Sequence, residues 1–588
     1  MARCKSDARR GGPWRGACVN PFSRLVAQRS ASGRPEDSGT HIERWPGRTD
    51  INRSENIARS PRRPLSASLQ VLLDYLPTRK TVNSSAHAYL TLNQVRTMAA
   101  SASTRKPVLS LESINPAVLD VHYAVRGELA LKAVAYEEQL HDPVKAKELP
   151  FDKVVTANIG NPQQKGLNQR PITFWRQVIS LLENPALFQD HLDVISKIYP
   201  ADVIARAKTL YGEIGSVGAY THSKGIPAIR KKVAAFIEKR DGHPANPEHI
   251  FLTAGASAGV SQILGLVLKP GEGCMIPIPQ YPLYTATLAY IHAKPVPYYL
   301  DEATGWSTST EGLIQGVNKA KADGIKVKAL AIINPGNPTG GVLSRESMEK
   351  VVQLCYDEGI VLLADEVYQR NIFDPKDRPF ISFKEVVRSM PKEVANSVEL
   401  VSFHSISKGV SGECGRRGGY FELTNIAEDV VEQIYKMASV TLCPPVTGQV
   451  GVDLLVDPPK PGDASYDQWL AETTLTHDNL RDRSKLMSER FNQLPNMSCQ
   501  PADGAMYLFP QIKIPERAIE EAKKRGKAPD VMYTLDLLDA TGICSVAGSG
   551  FGQEAGTYHL RVTALCPGVE DYVGKIEKFH KEWIAKWA

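Results

Sequence analysis

Between about residues 171 and 460, stretches with apolar residues at helical spacing alternate with short β-branched runs: Ile250 to Thr253, Met275 to Ile278, Val327 to Ile333, Ile360 to Ala364 and Leu400 to Phe403. Runs this short and apolar have the length and bulk of buried strands, and their alternation with helices predicts βαβ units in a mostly parallel sheet. Upstream, Tyr123 to Leu140 alternates apolar and charged positions at helical spacing, which predicts an arm or first helix packed on a larger body. A strand-like run from Val154 to Ile159 then enters the turn Gly160-Asn-Pro. The Pro-Pro-Lys-Pro-Gly stretch from Pro458 opens a final unit that mixes a helix, Glu472 to Asn492, with strands at Ala505 to Phe509, Gly542 to Val546 and Tyr558 to Val562. No internal repeat is visible. These shifts divide the chain into residues 1–97, an arm and part of a small domain over 98–170, a large domain over 171–460, and the rest of the small domain over 461–588.

Before Met98 neither period is sustained, and Arg, Ser, Pro and Gly dominate, a composition that predicts disorder. Charge is distributed in the same lopsided way. The net charge is +6, but residues 1–97 carry 17 Lys+Arg against 7 Asp+Glu, which leaves the remainder at −4. Basicity therefore belongs to the leader, and a nucleic-acid-binding face on the body is not expected. The first 35 residues hold eight basic side chains and one acid, similar to a mitochondrial presequence and a matrix location. The alternative reading starts the protein at Met98, with a translated leader upstream and a cytoplasmic product. At 588 residues, with 42% hydrophobic and 23% charged residues, the chain fits two to four globular units. No run of eighteen apolar residues predicts a membrane span. The nine cysteines are scattered, odd in number and without a CxxC pair, which argues against a disulfide framework and a zinc site. No metal-ligand or Ser-His-Asp constellation with interpretable spacing is present.

The chemistry concentrates at predicted strand ends. Leu400 to Phe403 runs into Ser405-Ile-Ser407-Lys408 and then Gly415-Arg416-Arg417-Gly418-Gly419. Open α/β sheets place ligands at the carboxyl ends of their strands. Lysine there can bond to an aldehyde when its surroundings depress its pKa, and the two serines with one arginine can hold a phosphate dianion. Phe251-Leu-Thr253-Ala-Gly255-Ala256-Ser257 reads as strand, turn and helix start, whose amides suit an anion, with a Ser N-cap as the plainer explanation. Tyr281 follows Pro277-Ile-Pro279-Gln and suits stacking on a flat ring, or a place in a turn. Asn337, in Asn334-Pro-Gly-Asn337-Pro-Thr-Gly340, can donate to an oxygen, although turn chemistry also explains it. Asp365 and Tyr368 end another apolar run; the carboxylate can hold a ring nitrogen protonated or cap a helix. Arg561 sits inside His559-Leu-Arg561-Val-Thr563, where a guanidinium wants a planar carboxylate from substrate or protein. Gly548-Ser-Gly550-Phe-Gly552 lacks dinucleotide-loop spacing and reads as a turn.

Taken in order, Asn337-Pro-Thr-Gly, Asp365-x-x-Tyr368, Ser405-x-Ser407-Lys408 and Arg561 resemble the fold-type I pyridoxal-phosphate aminotransferases. Asn158-Ile-Gly160-Asn-Pro-Gln, Gly218-Ala-Tyr220-Thr-x-Ser223-x-Gly225, Ile276-Pro-Ile-Pro-Gln-Tyr281 and Glu413-Cys-Gly-Arg-Arg-Gly-Gly-Tyr-Phe-Glu422 resemble the alanine aminotransferases in particular, from about Leu109 to the C-terminus. The resemblance implies an α/β fold, with a mainly parallel seven-stranded sheet in the large domain beside a smaller α/β domain. It implies pyridoxal 5′-phosphate as cofactor, small amino-acid and 2-oxo-acid substrates, and a homodimer with shared active sites. Lys408 becomes the lysine bonded to the cofactor and the proton carrier, Asp365 the partner of the pyridine nitrogen, and Asn337 and Tyr368 the partners of the ring oxygen. Tyr281 stacks, while Ala256, Ser257, Ser405, Ser407 and Arg417 hold the phosphate. Arg561 clamps the substrate α-carboxylate, Gly160 closes over it, and Tyr220 reaches the neighbouring subunit's phosphate. The usual family pattern has an aromatic before the phosphate arginine, where this chain has Arg416; spacing to the two glycines assigns Arg417. The implied reaction is L-alanine plus 2-oxoglutarate to pyruvate plus L-glutamate. An aspartate or aromatic aminotransferase, or a lyase of the same fold such as a cyclopropane-carboxylate synthase, fits the same spacing.

Overall fold

The apolar runs form the centre of one large sheet. The computed structural model describes residues 108–588 apart from Asn168, so the predicted leader lies outside the described residues. Strands are numbered in chain order: β1 Val155–Thr156, β2 Ile250–Thr253, β3 Gly273–Ile278, β4 Lys294–Asp301, β5 Ser307–Thr308, β6 Val327–Ile333, β7 Val361–Asp365, β8 Leu400–Ser405, β9 Gly419–Thr424, β10 Met497–Ser498, β11 Tyr507–Leu508, β12 Gln511–Ile512, β13 Ile543–Cys544, β14 Val546–Ala547 and β15 Leu560–Thr563. The sheet runs β2-β9-β8-β7-β6-β3-β4-β5. Pairings from β8 through β4 are parallel, whereas β9 runs against both its neighbours and β5 adds a two-residue antiparallel edge. The expected seven strands are therefore extended to eight by β5. The pattern missed β4 and β9 as well, for physical reasons: β4 alternates exposed and buried positions and contains two prolines, and β9 follows directly on a glycine turn.

Both sheet faces are covered, which is why the central strands read as continuous apolar runs. Alternate residues serve alternate faces. Met275, Leu330, Ile332, Leu362, Ala364 and Leu400 pack with the helices Thr310–Ala322, Arg345–Glu358 and Phe383–Ser389. Ile276, Ala331, Leu363, Val401 and Phe403 pack on the other side with Ala256–Val267, Leu283–Tyr290 and Glu428–Val440. A separate core gathers the long helix Tyr466–Phe491, the C-terminal helix Val569–Trp587 and strands β11, β13 and β15, and reaches Val367 and Tyr368 beside the sheet. The predicted first helix is Glu128–Leu140, whose Ala133 packs on Leu538 and Cys544. Among the described residues no helix is long and apolar enough to cross a membrane.

Register then fixes the site. Ile333 at the end of β6 pairs with Asp365 at the end of β7, and Asp365 with Phe403 on β8. The turns carrying Asn337, Asp365 and Lys408 thus leave the sheet from one row, at the carboxyl end that parallel packing leaves free for ligands.

Candidate active site

A cavity of about 470 Å³ opens at that row, lined among others by Gly160, Ala256, Ser257, Tyr281, Asn337, Asp365, Tyr368, Ser405, Ser407, Lys408 and Arg417. Eleven of the thirteen residues singled out from the sequence thus meet in one place. Arg561 joins them through Asn337: its Nη1 donates to Asn337 Oδ1 at 3.0 Å and its Nη2 to the Asn158 carbonyl. Tyr220 does not reach this cavity. It is 80% exposed at the surface of its own chain.

Asp365 is the last residue of β7 and caps no helix. Tyr284 donates to its Oδ2 at 3.1 Å, while Oδ1 is buried without a protein partner. Burial pushes the carboxyl up to about 6, against the opposing pull of the Tyr284 hydrogen bond. The Tyr368 hydroxyl is likewise buried and unpartnered, and burial holds its phenol well above the ordinary value. Lys408 donates to the Gly160 carbonyl at 3.0 Å.

The anion end is built from backbone as much as from side chains. The helix after β2 begins at Ala256, with Gly255 as its N-cap at φ 83, so Ser257 lies within the first turn and is not the cap. Glycine at 255 is required twice: the conformation is left-handed, and a Cβ there would lie 2.5 Å from Arg417 Nη2. Ser405 Oγ donates to Ser407 Oγ at 2.8 Å. Arg417 itself adopts φ 56, and its guanidinium donates to the carbonyls of Cys414 and Ala254, each at 2.9 Å. Gly418 and Gly419 follow because any Cβ would strike backbone, the Gly448 carbonyl at 2.2 Å or Ala256 N at 2.9 Å. Arg416 turns the other way and pairs with Glu413 at 3.0 Å, which Arg176 also meets at 3.0 Å.

These donors and acceptors suit one kind of group. A bare carboxylate oxygen, an unpartnered phenol, a free amine, and an arginine beside exposed helix amides fit a flat ring with a cationic nitrogen, an oxygen substituent, an aldehyde and a phosphate. Pyridoxal 5′-phosphate carries all four. Arg561 has no carboxylate within ion-pairing distance among the described residues, and its Nε is buried and unpartnered, so a ligand carboxylate can supply what the protein does not.

Sequence reasoning missed four residues here. Tyr284 lies three residues past Tyr281, but only the fold turns it onto Asp365. Tyr507 on β11 sits beneath the Arg561 guanidinium, 4.2 Å from its ring centre. Tyr123 bonds hydroxyl to hydroxyl with Tyr281 at 2.5 Å, and Arg126 lines the cavity from the same turn. Tyr123 and Arg126 come from the arm, whose sequence signal was only helical spacing.

Comparison with known proteins agrees with this geometry. A model of the family "aminotransferase class I and II" matches residues 187–573. The chain is 48% identical over 490 residues to the probable mitochondrial alanine aminotransferase of Dictyostelium discoideum, covering 82% of this chain and 91% of that one. It is 47% identical over 485 residues to glutamate–glyoxylate aminotransferase 2 of Arabidopsis thaliana, covering 82% and 97%. A solved alanine aminotransferase from Pyrococcus furiosus shares the fold, with a TM-score of 0.61 at 24% identity over 80% of this chain and 99% of that one. With a sheet that ends in this cavity and this degree of likeness along most of its length, the chain belongs to the aminotransferase class I and II family.

Proposed function

We propose that the protein is an alanine aminotransferase, moving the amino group of L-alanine to 2-oxoglutarate in two half-reactions that yield pyruvate and L-glutamate. The observation that carries this reading is the meeting of Lys408, Asp365 and the Asn337–Arg561 pair at one cavity. Bound pyridoxal 5′-phosphate supplies an aldehyde that accepts the amino group and a protonated ring that draws electrons from the neighbouring carbon. Asp365 Oδ1 holds the proton on the ring nitrogen, and Asn337 with Tyr368 faces the ring oxygen. Tyr281 flanks the ring; Ser257, Ser405, Ser407, Arg417 and the Ala256 amide hold the phosphate. Arg561 receives the α-carboxylate and so orients the Cα–H bond toward Lys408 Nζ, which takes that proton and returns it. Gly160, whose carbonyl already accepts from Lys408, closes over the substrate and excludes water.

Arg126 supports the dicarboxylate half of the reaction. Arg417, Lys408 and Arg561 have their tasks, and Arg126 is the remaining cation lining the cavity, with no ion-pair partner among the described residues. Glutamate brings a second carboxylate that alanine lacks. The likeness to a glutamate–glyoxylate aminotransferase favours a second acceptor, glyoxylate, for the same machinery.

Mixing the protein with alanine and 2-oxoglutarate is expected to give pyruvate and glutamate, with no product from Lys408→Ala. Ammonia or a cyclised product without glutamate would instead establish a lyase. Competition between 2-oxoglutarate and glyoxylate ranks the acceptors, and Arg126→Gln is expected to weaken the former alone.

The exposed Tyr220 supports a homodimer in which it reaches the partner's phosphate, and a Tyr220→Phe protein in sedimentation and cofactor-binding assays tests that arrangement. The eight basic residues against one acid in the first 35 support import into the mitochondrial matrix. Mass spectrometry of the N-terminus in cells decides between import and a cytoplasmic start at Met98.

A further inference from the structure

Tyr507 is 1% exposed, yet its hydroxyl is not buried among apolar groups. A carbon placed at the missing Cβ of Gly160 would lie 1.8 Å from the Tyr507 hydroxyl oxygen and 3.0 Å from Lys408 Nζ. The phenol and the amine therefore face each other across the space of one absent atom. β11 pairs with β15, Tyr507 opposite Thr563, and this lays the Tyr507 ring under the Arg561 guanidinium at 4.2 Å. One side chain thus touches both the carboxylate clamp and the reactive lysine, and the reading above gives it no task.

We propose that Tyr507 is the proton partner of Lys408: its phenol oxygen takes a proton from the lysine ammonium when the amine must be neutral and returns it afterwards. This rests on the transamination reading. In the step an N–H bond of Lys408 breaks and the O–H bond of Tyr507 forms, so ammonium and phenolate become amine and phenol with no other reactant. Other groups near Lys408 do not serve. The Gly160 carbonyl accepts a hydrogen bond but cannot take up the proton. Asp365 is committed to Tyr284 and the ring nitrogen.

The charged and titratable groups facing the Tyr507 phenol are Lys408 after β8, Arg561 on β15, Tyr368 after β7 and Tyr281 after β3. Burial alone would push the phenol up, but the two cations outweigh it and hold it below the ordinary tyrosine value. Tyr368, edge-on to the Tyr507 ring at 6.2 Å, is displaced the opposite way by burial.

The test uses full-length protein loaded with pyridoxamine 5′-phosphate, the cofactor form in which Lys408 is free. Following the ultraviolet tyrosinate band with pH, one tyrosine is expected to ionise below the ordinary value of about 10, and Tyr507→Phe is expected to lose that step. In the same variant, kcat for alanine should fall about 10- to 100-fold with KM little changed, and the isotope effect from Cα-deuterated alanine should rise. A wild-type titration without an early tyrosine overturns the proposal, as does an unaltered pH profile and kcat in Tyr507→Phe. Should the variant lose its cofactor, the wild-type titration still decides. A wild type that forms no glutamate sinks the transamination reading instead, whereas normal transamination without the early tyrosine sinks only the role of Tyr507.

Discussion

Tyr284 and Asp365 divide the work of one buried carboxylate: the phenol occupies Oδ2 at 3.1 Å, and Oδ1 is left without a protein partner. Because the helix Leu283–Tyr290 starts directly after the turn that carries Tyr281, a cavity-lining ring and the carboxylate's hydrogen-bond donor come from one short segment.

A pH dependence follows. Burial pushes the Asp365 carboxyl of the cofactor-free chain up to about 6, so stability is lost as pH rises from the ordinary carboxylate value to about 6. A bound ring cation reverses this, because it needs Asp365 ionised. Cofactor affinity is therefore expected to fall as pH drops below about 6. Tyr284→Phe removes a charge-assisted hydrogen bond of about 1.5–3 kcal/mol and should move that midpoint up by roughly one to two pH units. Fluorescence titration with cofactor across pH measures both; an unmoved midpoint would refute the assignment.

The arginine pair separates just as cleanly. Arg417→Ala removes the cavity guanidinium and is expected to weaken cofactor binding by at least tenfold, about 1.4 kcal/mol, with little loss of melting temperature. Arg416→Ala removes one of three side-chain partners of Glu413, leaving Arg176 at 3.0 Å and Gln163 at 3.1 Å in place. Its cofactor affinity should match wild type, with at most about 1 kcal/mol lost in stability. Reversal of the two phenotypes would exchange the assignments.

Much of this was legible in the chain, and for identifiable reasons. β2 and β6 begin and end where their apolar runs do, because strands covered on both faces are apolar at nearly every position, Thr253 and Lys328 excepted. Lys408, Asp365 and Asn337 were visible because each follows such a run within a few residues. β4 was not, since its exposed Lys294, Pro295, Pro297 and Tyr299 break the apolar signal where only the two-residue β5 lies beyond it. Tyr507 and Tyr284 were invisible as functional groups for a different reason: their partners Lys408, Arg561 and Asp365 lie 54 to 99 positions away, and only sheet register brings them together. Arg416 and Arg417 could be ranked by spacing, but the physical cause, two glycines pressed against Gly448 and Ala256, lies in the packing.

Gly160 offers a sharp steric test. An alanine Cβ would sit 1.8 Å from the Tyr507 hydroxyl oxygen and 3.0 Å from Lys408 Nζ, so either the turn or the two side chains must shift. Gly160 is buried in the turn after β1, so the added methyl also overpacks its surroundings, and global stability should fall by about 1–3 kcal/mol. Activity is expected to fall at least 100-fold, because displacement of about 1 Å at a reacting group has that effect. Cofactor binding, which the proposed function gives to Asp365 and Arg417, should persist. Normal kcat in Gly160→Ala would show that the turn does not close over the substrate.

Lys384 and Glu422 provide the stability counterpart, away from the cavity. Their ion pair spans 2.5 Å with each side chain only 2% exposed, joining the helix Phe383–Ser389 to β9, and Lys384 also donates to the Pro244 carbonyl at 3.0 Å. Glu422 Oε2 has no partner, and burial, opposed by Lys384, pushes its carboxyl above the ordinary value. Lys384→Met leaves that carboxyl buried alone, at a cost of about 3–5 kcal/mol. The loss should be smaller in acid and grow as pH rises past the ordinary carboxylate value, because the unfolded chain then gives up the proton that the buried carboxyl keeps. Lys384→Met with Glu422→Leu removes both charges and should recover most of the loss, since apolar replacements of a buried pair are often neutral or better. Urea denaturation of the two variants at several pH values measures this. A double variant no more stable than Lys384→Met would mean that the contact with Pro244, and not the ion pair, holds the helix to the sheet.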